Sequence, residues 1–467
     1  MLLRRSALDA RAASTFSLSG GEGSVSGEVI TATYAGLGAN ADRVASALRA
    51  AVATLPDGAN AVTGGIKGDV GGVSVALMAD PGAEYVAGTL GVWAAGGVVV
   101  PLALSHPDHE LKYVLGDARV QVVLATATYA HRLGPLAEAA GAKLIVIEWD
   151  APPPNAASTG ASDCAAAPED GDAWSRTVAE ACERLGDDRG ALVIYTSGTT
   201  GRPKGALHTH GSISAQVSSL CEAWEWDASD RILHCLPMHH IHGIVNACYC
   251  ALSAGATVEF LPKFSPTSIW NRLIDGYEGR APPLTLFMGV PTMYVRLLQA
   301  YDAYDEATQA RCRAAASALR LAVSGSAACP VPLFERWEAV TGARLLERYG
   351  MSEIGMALSN PFAGGERRAG AVGVPLPGVE AVLVDFATGE SCPPGTAGEI
   401  RIKGRNLFKE YLGRPKATAD AYDEHGYFKT GDAAVIEDGY WRILGRESVD
   451  IIKSGGYKVR QPTSSGS

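Results

Sequence analysis

An α/β protein with largely parallel sheets is the fold this sequence predicts, and three observations carry the prediction. Short Val/Ile/Leu-rich runs alternate with longer helical stretches along most of the chain. One of these runs, Ala191-Leu-Val-Ile-Tyr195, leads directly into a loop dense in glycine and hydroxyl side chains. The length of 467 residues exceeds what one core organises, so two or three domains or subdomains are expected.

Taken in order, Gly72 to Met78 (GVSVALM) reads as a buried strand because it is apolar and uncharged, with Gly82 to Ala95 as the helix after it. Val120 to Ala125 and Lys143 to Glu148 repeat the theme around a helix near Tyr129 to Ala140. From Ala151 to Gly171 the chain is Pro, Ala, Ser, Asp and Gly without periodicity, a solvated insertion placed within residues 151–190. Regular structure resumes with the strand ending at Tyr195, and a helix is expected to start near His210. Later strands are expected at Thr257 to Leu261, Leu284 to Met288, Leu319 to Val323, Val379 to Val384 and Glu399 to Ile402. A β-rich portion is expected from about Val379 to Gly445.

Composition narrows the function classes. Hydrophobic residues make up 47% and charged residues 19%, ordinary for a folded globular chain. A net charge of -10 disfavours a nucleic-acid partner, which needs a basic surface, but leaves room for a small anionic substrate held by local cations. Nine cysteines include no CxxC, and Cys248-x-Cys250 has no second pair or histidine spacing to complete a zinc site. A reducing compartment, cytoplasmic or mitochondrial, is therefore expected rather than secretion. The most apolar run, Val92 to Leu104, is interrupted by Gly96-Gly97 and Pro101 and is too short to cross a bilayer. Arg4, Arg5 and Arg11 among Ser and Ala give the start a faintly transit-peptide character, with a frayed N-terminus as the alternative. Oligomeric state is not legible.

The chemistry concentrates after Tyr195. Thr196, Ser197, Gly198, Thr199, Thr200, Gly201 and Lys204 lie in one loop: glycines free backbone N–H groups to face inward, and hydroxyls and a lysine add donors for an anion. Polyphosphate is the ligand such a loop suits, yet no GxxxxGK[ST] occurs, which disfavours a P-loop NTPase.

In its form, YTSGTTGRPKG, the loop resembles that of the adenylate-forming acyl-CoA synthetases, and the resemblance runs from about Thr33 to Val459. Leu236-Pro-Met-His-His-Ile-His-Gly243 is similar to the family's acyl-pocket gate, with His240 at the gating position and His239 where an aromatic residue is usual. Ser324, Gly325, Tyr349 and Gly350 match the adenine-embracing segments, Glu353 the magnesium ligand, and Asp432 and Arg446 the ribose site. Asp450 matches the hinge, and Lys453, Gly455 and Gly456 the coenzyme A side. ATP, Mg²⁺ and coenzyme A are the cofactors so implied. The chemistry agrees: joining a carboxylate to the α-phosphate of ATP brings two anions together, which needs cations, in-line placement and a metal on the departing pyrophosphate.

The acid is read separately. Arg296 and Arg348, with Ser326, suit a second carboxylate at the far end of a small dicarboxylic acid, because the guanidinium fork pairs bidentately with carboxylate. From spacing alone Arg296 equally fits a wet helix face with Thr292 and Gln299. The segments around Gly289 to Tyr294, Glu347 to Asn360 and Gly373 to Gly378 look most like malonyl-CoA synthetases. In those enzymes the matching Arg, Ser and Arg bind the distal carboxylate of malonate or methylmalonate. The alternatives are a ligase for another short or aromatic acid and a non-catalytic nucleotide-binding protein. His239, His240 and His242 form an HHxH run, but no acidic or thiol ligand lies near enough in sequence to complete a zinc site.

The resemblance implies an organisation. Residues 1–28 form an extension and 29–445 an adenylating domain of two stacked α/β subdomains plus the β-rich one. Residues 446–459 form the hinge and 460–467 a tail outside the family pattern. It also implies a small mobile domain of about 100 residues beyond the hinge. On that expectation the 467-residue chain is impaired in catalysis.

Overall fold

Uncharged runs rich in Val, Leu and Ala are buried along all but their end residues in Ser74–Met78, Val98–Pro101, Val122–Thr126 and Gly190–Tyr195, as parallel strands covered by helices must be. In the computed structural model these strands join Lys143–Ile147, Gly205–Thr209 and Glu410–Tyr411 in a seven-stranded sheet. Pairing is parallel from Gly190–Tyr195 through Val98–Pro101, Ser74–Met78 and Val122–Thr126 to Lys143–Ile147. At the other edge Gly205–Thr209 and Glu410–Tyr411 run antiparallel. The structure describes residues 16–18, 30–55, 69–149, 181, 185–196, 202–393, 395–446, 451–454 and 457–460, with backbone alone for 16–18, 30, 31, 451–454 and 457–460.

A nine-stranded sheet runs in the order Val374–Pro375, Gly355–Ser359, Leu346–Met351, Leu321–Ser324, Leu286–Gly289, Arg231–His234, Thr257–Phe260, Phe16–Leu18 and Ile30–Ala32. Its six central strands, from Leu346–Met351 to Phe16–Leu18, pair in parallel throughout, and both edges are antiparallel. The helices Tyr34–Val52, Ala83–Ala94 and His210–Ala223 contribute to one apolar core with strands of both large sheets. A third sheet, Val379–Val384, Gly398–Gly404, Phe428–Glu437 and Tyr440–Arg446, is antiparallel throughout and is the β-rich portion the sequence predicts.

The α/β expectation therefore holds, with local differences. The strand Gly205–Thr209 stands between the Gly/Ser/Thr loop and the helix at His210, so that loop joins two antiparallel strands rather than leading into a helix. Thr209 caps that helix reciprocally: its hydroxyl accepts from the Ser212 N–H, and the Ser212 hydroxyl accepts from the Thr209 N–H, each at 3.0 Å. The apolar run from Val92 divides into the end of one helix and the strand Val98–Pro101, turning at Gly96 with φ 86°. Among the described residues no helix is long and apolar enough to cross a membrane. After the histidine-rich segment the chain winds as a π-helix, His242–Tyr249, buried at every residue. Such helices concentrate at functional sites. The transit-like start and most of the insertion, 151–180, lie outside the described residues.

Candidate active site

Ligands of open α/β sheets settle at the carboxyl ends of the strands. Here Gly190–Tyr195 ends at Thr196, Leu321–Ser324 ends at Gly325, and Leu286–Gly289 ends before a helix that Pro291 opens. The predicted phosphate, adenine and acid residues fall at these ends. The Thr196 N–H donates to the Lys204 carbonyl at 3.0 Å, closing the base of the phosphate loop. Ser197, Gly198, Thr199, Thr200 and Gly201 lie outside the described residues, as do Asp450, Gly455 and Gly456, and Lys453 is described only as part of the strand Ile451–Ser454.

Glu353 sits just past the strand Leu346–Met351, and neighbouring elements pin its segment. His208 Nε2 donates to the Ser352 carbonyl at 2.7 Å, the Phe408 N–H donates to the Glu353 carbonyl at 2.7 Å, and the Asn406 amide donates to the Ile354 carbonyl at 2.6 Å. Burial holds His208 neutral, pushing its pKa down to about 4. The Glu353 carboxyl is itself buried, and burial raises its pKa against the opposing pull of the Tyr411 hydroxyl and the Lys204 charge. Tyr411 touches both groups: its hydroxyl donates to Glu353 Oε1 at 2.8 Å, and its ring centroid lies 3.9 Å from the Lys204 ammonium.

Asp432 and Arg446 are direct partners across two antiparallel strands. Arg446 Nε donates to Asp432 Oδ1 at 2.8 Å and its Nη2 to Oδ2 at 3.3 Å, while the Tyr349 hydroxyl donates to Oδ2 at 2.7 Å. The carboxylate is buried at the meeting of the third sheet with the nine-stranded one, oriented by a cation and a phenol. The pairing register slips beside Tyr349/Gly350, and a methyl at Gly350 would overlap the Gly355 carbonyl, so glycine is required there.

The acid residues separate. Arg348 is 5% exposed and has no carboxylate partner among the described residues. Its Nη2 donates to Ser326 Oγ at 3.3 Å and its Nε finds no partner. Burial alone lowers its pKa, to about 9, which still leaves the guanidinium charged at neutral pH. Ser326 takes a left-handed φ of 66°, strained for a residue with a Cβ, and holds its hydroxyl where Arg348 and His242 converge. His242 Nδ1 lies 3.2 Å from that hydroxyl. Arg296, by contrast, is exposed on the helix Pro291–Asp302 and stacks 5.2 Å from the Phe264 ring. The Ser326 hydroxyl meets Arg348 and His242 instead.

In the gate segment His240 is exposed, its ring 4.2 Å from that of His239, and burial lowers the pKa of both, of His239 to about 3. Among the described residues there is no group of three His, Cys, Asp or Glu side chains placed to hold a metal ion. Cys248 and Cys250 are buried thiols whose pKa values burial raises. Sequence reasoning missed Tyr411 and the partnership of His242 with Ser326. For Tyr411 no local pattern signals it, and His242 was visible only as the last member of HHxH.

Comparison with known proteins bears on this arrangement. Residues 11–412 match the AMP-binding enzyme family. A malonate–CoA ligase of Arabidopsis thaliana is 46% identical over 407 residues, covering 84% of this chain and 62% of that protein. The mitochondrial malonate–CoA ligase of Mus musculus is 41% identical, over 84% of this chain and 67% of its own length. Among solved structures, a malonyl-CoA ligase ternary product complex with methylmalonyl-CoA and AMP bound superposes with a TM-score of 0.72 at 37% identity, covering 96% of this chain and 81% of that one. The chain thus spans less than two thirds of the length of its Arabidopsis relative. With the family match extending over most of its residues, the chain belongs to the AMP-binding enzymes.

Proposed function

We propose that this chain is the nucleotide- and acid-binding part of an ATP-dependent acid–thiol ligase that activates malonate, or methylmalonate, as its acyl-adenylate on the way to a coenzyme A thioester. The observation that carries the acid is Arg348, a buried, charged guanidinium with no carboxylate partner among the described residues. An uncompensated buried charge is costly, and a substrate carboxylate at the far end of a short acid relieves that cost. Arg348 and Ser326 form the pocket in this reading, and Arg296 stands apart from it.

The remaining residues divide the work. Asp432 would accept from the ribose hydroxyls, with Tyr349 and Arg446 fixing its orientation. Lys204, whose ammonium lies over the Tyr411 ring, would supply a cation at the end of the phosphate loop. Glu353 fits a magnesium ion in chemistry: it is one hard carboxylate, buried, beside a polyphosphate loop, and Mg²⁺ is commonly held by one or two carboxylates together with phosphate oxygens and water. That ion, when bound, would neutralise charge developing on the departing pyrophosphate. The printed name of the mouse relative, a mitochondrial enzyme, supports a mitochondrial setting, with a cytoplasmic one as the alternative.

Pyrophosphate release from ATP and Mg²⁺, measured with malonate, butyrate and benzoate in turn, tests the reading. Release that depends on malonate supports it. Release driven equally by butyrate or benzoate points to a ligase for another acid. Binding of ATP without release under any acid makes this chain a nucleotide binder.

A further inference from the structure

Behind Glu353 the buried polar residues form one connected chain. Three successive backbone carbonyls, those of Ser352, Glu353 and Ile354, accept from His208 Nε2 at 2.7 Å, the Phe408 N–H at 2.7 Å and Asn406 Nδ2 at 2.6 Å. These donors come from two distant stretches of sequence. His208 lies on the strand Gly205–Thr209, which follows Lys204, while Asn406 and Phe408 precede the strand Glu410–Tyr411. Gln216, 2% exposed on the helix His210–Ala223, joins the two. Its Nε2 donates to the Asn406 backbone carbonyl at 2.8 Å and lies 3.3 Å from His208 Nδ1.

Each role follows from the partner. A backbone carbonyl only accepts, so His208 carries a proton on Nε2 and Gln216 turns its NH₂ end toward Asn406. That NH₂ has a second hydrogen and nothing to accept with, which makes Nδ1 of the neutral His208 ring an acceptor. Ser212 Oγ lies 3.3 Å from the same nitrogen. The Gln216 amide also packs on the segment it braces, since a methyl on Gly355, at φ 61°, would overlap it. Tyr411 completes the frame, with its hydroxyl on Glu353 Oε1 and its ring against the Lys204 ammonium.

We propose that Gln216 is a positioning residue for Glu353: by tying His208 to Asn406 it fixes the three carbonyls of 352–354, and so sets the carboxylate toward a magnesium ion on the polyphosphate. This rests on the nucleotide reading above and goes beyond it by giving a role to a side chain that touches neither the carboxylate nor Lys204. Without the amide, a buried ring nitrogen and a buried carbonyl each lose a donor, and the segment is free to shift. Mg²⁺ demands near-ideal ligand geometry, so a small shift of its carboxylate is felt. Outer partners of metal ligands commonly tune affinity by tenfold or more.

ATP binding to this chain, measured by calorimetry over a Mg²⁺ series and in EDTA, tests the role. Gln216→Met fills similar space without the donors. It is expected to raise the Mg²⁺ concentration for half-maximal ATP binding about tenfold, with affinity in EDTA within twofold of wild type. The two ring nitrogens of His208 are separable too: a Gln amide reaches the position of Nε2, an Asn amide only that of Nδ1. His208→Asn is therefore expected to shift the Mg²⁺ requirement as Gln216→Met does, and His208→Gln to keep it within threefold. A Gln216→Met variant with the wild-type Mg²⁺ requirement overturns the proposal, even with a lower denaturation midpoint, because that marks packing alone. Equal shifts in His208→Asn and His208→Gln overturn it as well, and this pair decides the matter should Gln216→Met fail to fold. Wild-type ATP binding that is indifferent to Mg²⁺ overturns the reading of Glu353 itself, a result distinct from the others.

Discussion

Arg348 lies so close against Gly325 that a methyl group on residue 325 would overlap its guanidinium. The glycine that follows the strand Leu321–Ser324 thus makes room for the buried cation on the neighbouring strand Leu346–Met351. Gly325→Ala should push Arg348 aside and cost about 1–3 kcal/mol, as overpacking of a filled interior does. We expect weaker malonate binding with little change in ATP affinity, read by calorimetry with each ligand. Equal losses for both ligands would point to general unfolding.

Asp432 links the third sheet to Tyr349 and Arg446. Asp432→Ala should weaken ATP binding by about 1.5–3 kcal/mol, the range for a hydrogen bond involving a charged group. Unchanged calorimetric affinity for ATP removes Asp432 from the ribose site.

Tyr411 serves two groups through two different parts of its side chain. Tyr411→Phe keeps the ring under Lys204 but removes the donor to Glu353, so the Mg²⁺ concentration needed for half-maximal ATP binding should rise severalfold. Tyr411→Leu should in addition weaken ATP binding without Mg²⁺. Identical behaviour of the two variants would mean that the hydroxyl and the ring are not separate devices.

Glu347, beside Arg348 in sequence, is buried and accepts from the Gly370 N–H at 2.9 Å and the Cys329 N–H at 3.4 Å. Burial raises its carboxyl pKa to about 7, a shift the two backbone N–H groups only partly offset. A raised carboxyl pKa means that the folded state retains a proton the unfolded chain gives up. This group's contribution to stability therefore falls as pH rises from about 4.5 to about 7, by up to about 1.4 kcal/mol per pH unit, and levels off above. Glu347→Gln should gain stability relative to wild type across that window, measured as denaturation midpoints at pH 5 and pH 8. A constant difference between the two pH values contradicts this.

Much of this architecture was legible because parallel strands buried on both faces are apolar nearly throughout: Ser74–Met78 and Val122–Thr126 fall within a residue or two of their expected places, and the antiparallel Val379–Val384 falls at its own. Several strands that escaped carry buried polar residues. Gly205–Thr209 buries His208, Gly355–Ser359 buries Ser359, and Phe428–Glu437 buries Asp432, so their polar residues break the pattern that marks a strand. Motif residues near one another in sequence, such as Arg348, Tyr349 and Glu353, were found by their order. The pairing of His242 with Ser326 spans 84 residues, and only the fold brings those two side chains together. Arg296 lies on an exposed helix face, as its helical spacing with Thr292 and Gln299 predicts.

The central claim is that a buried arginine selects an acid with a second carboxylate. Calorimetric titration of malonate and of butyrate into this chain with a non-hydrolysable ATP analogue and Mg²⁺, for wild type and Arg348→Ala, tests it most directly. We expect wild type to bind malonate at least tenfold more tightly than butyrate, and Arg348→Ala to lose most of that preference with ATP-analogue affinity intact. An Arg348→Ala variant that retains the wild-type ratio of malonate to butyrate affinity would contradict the account.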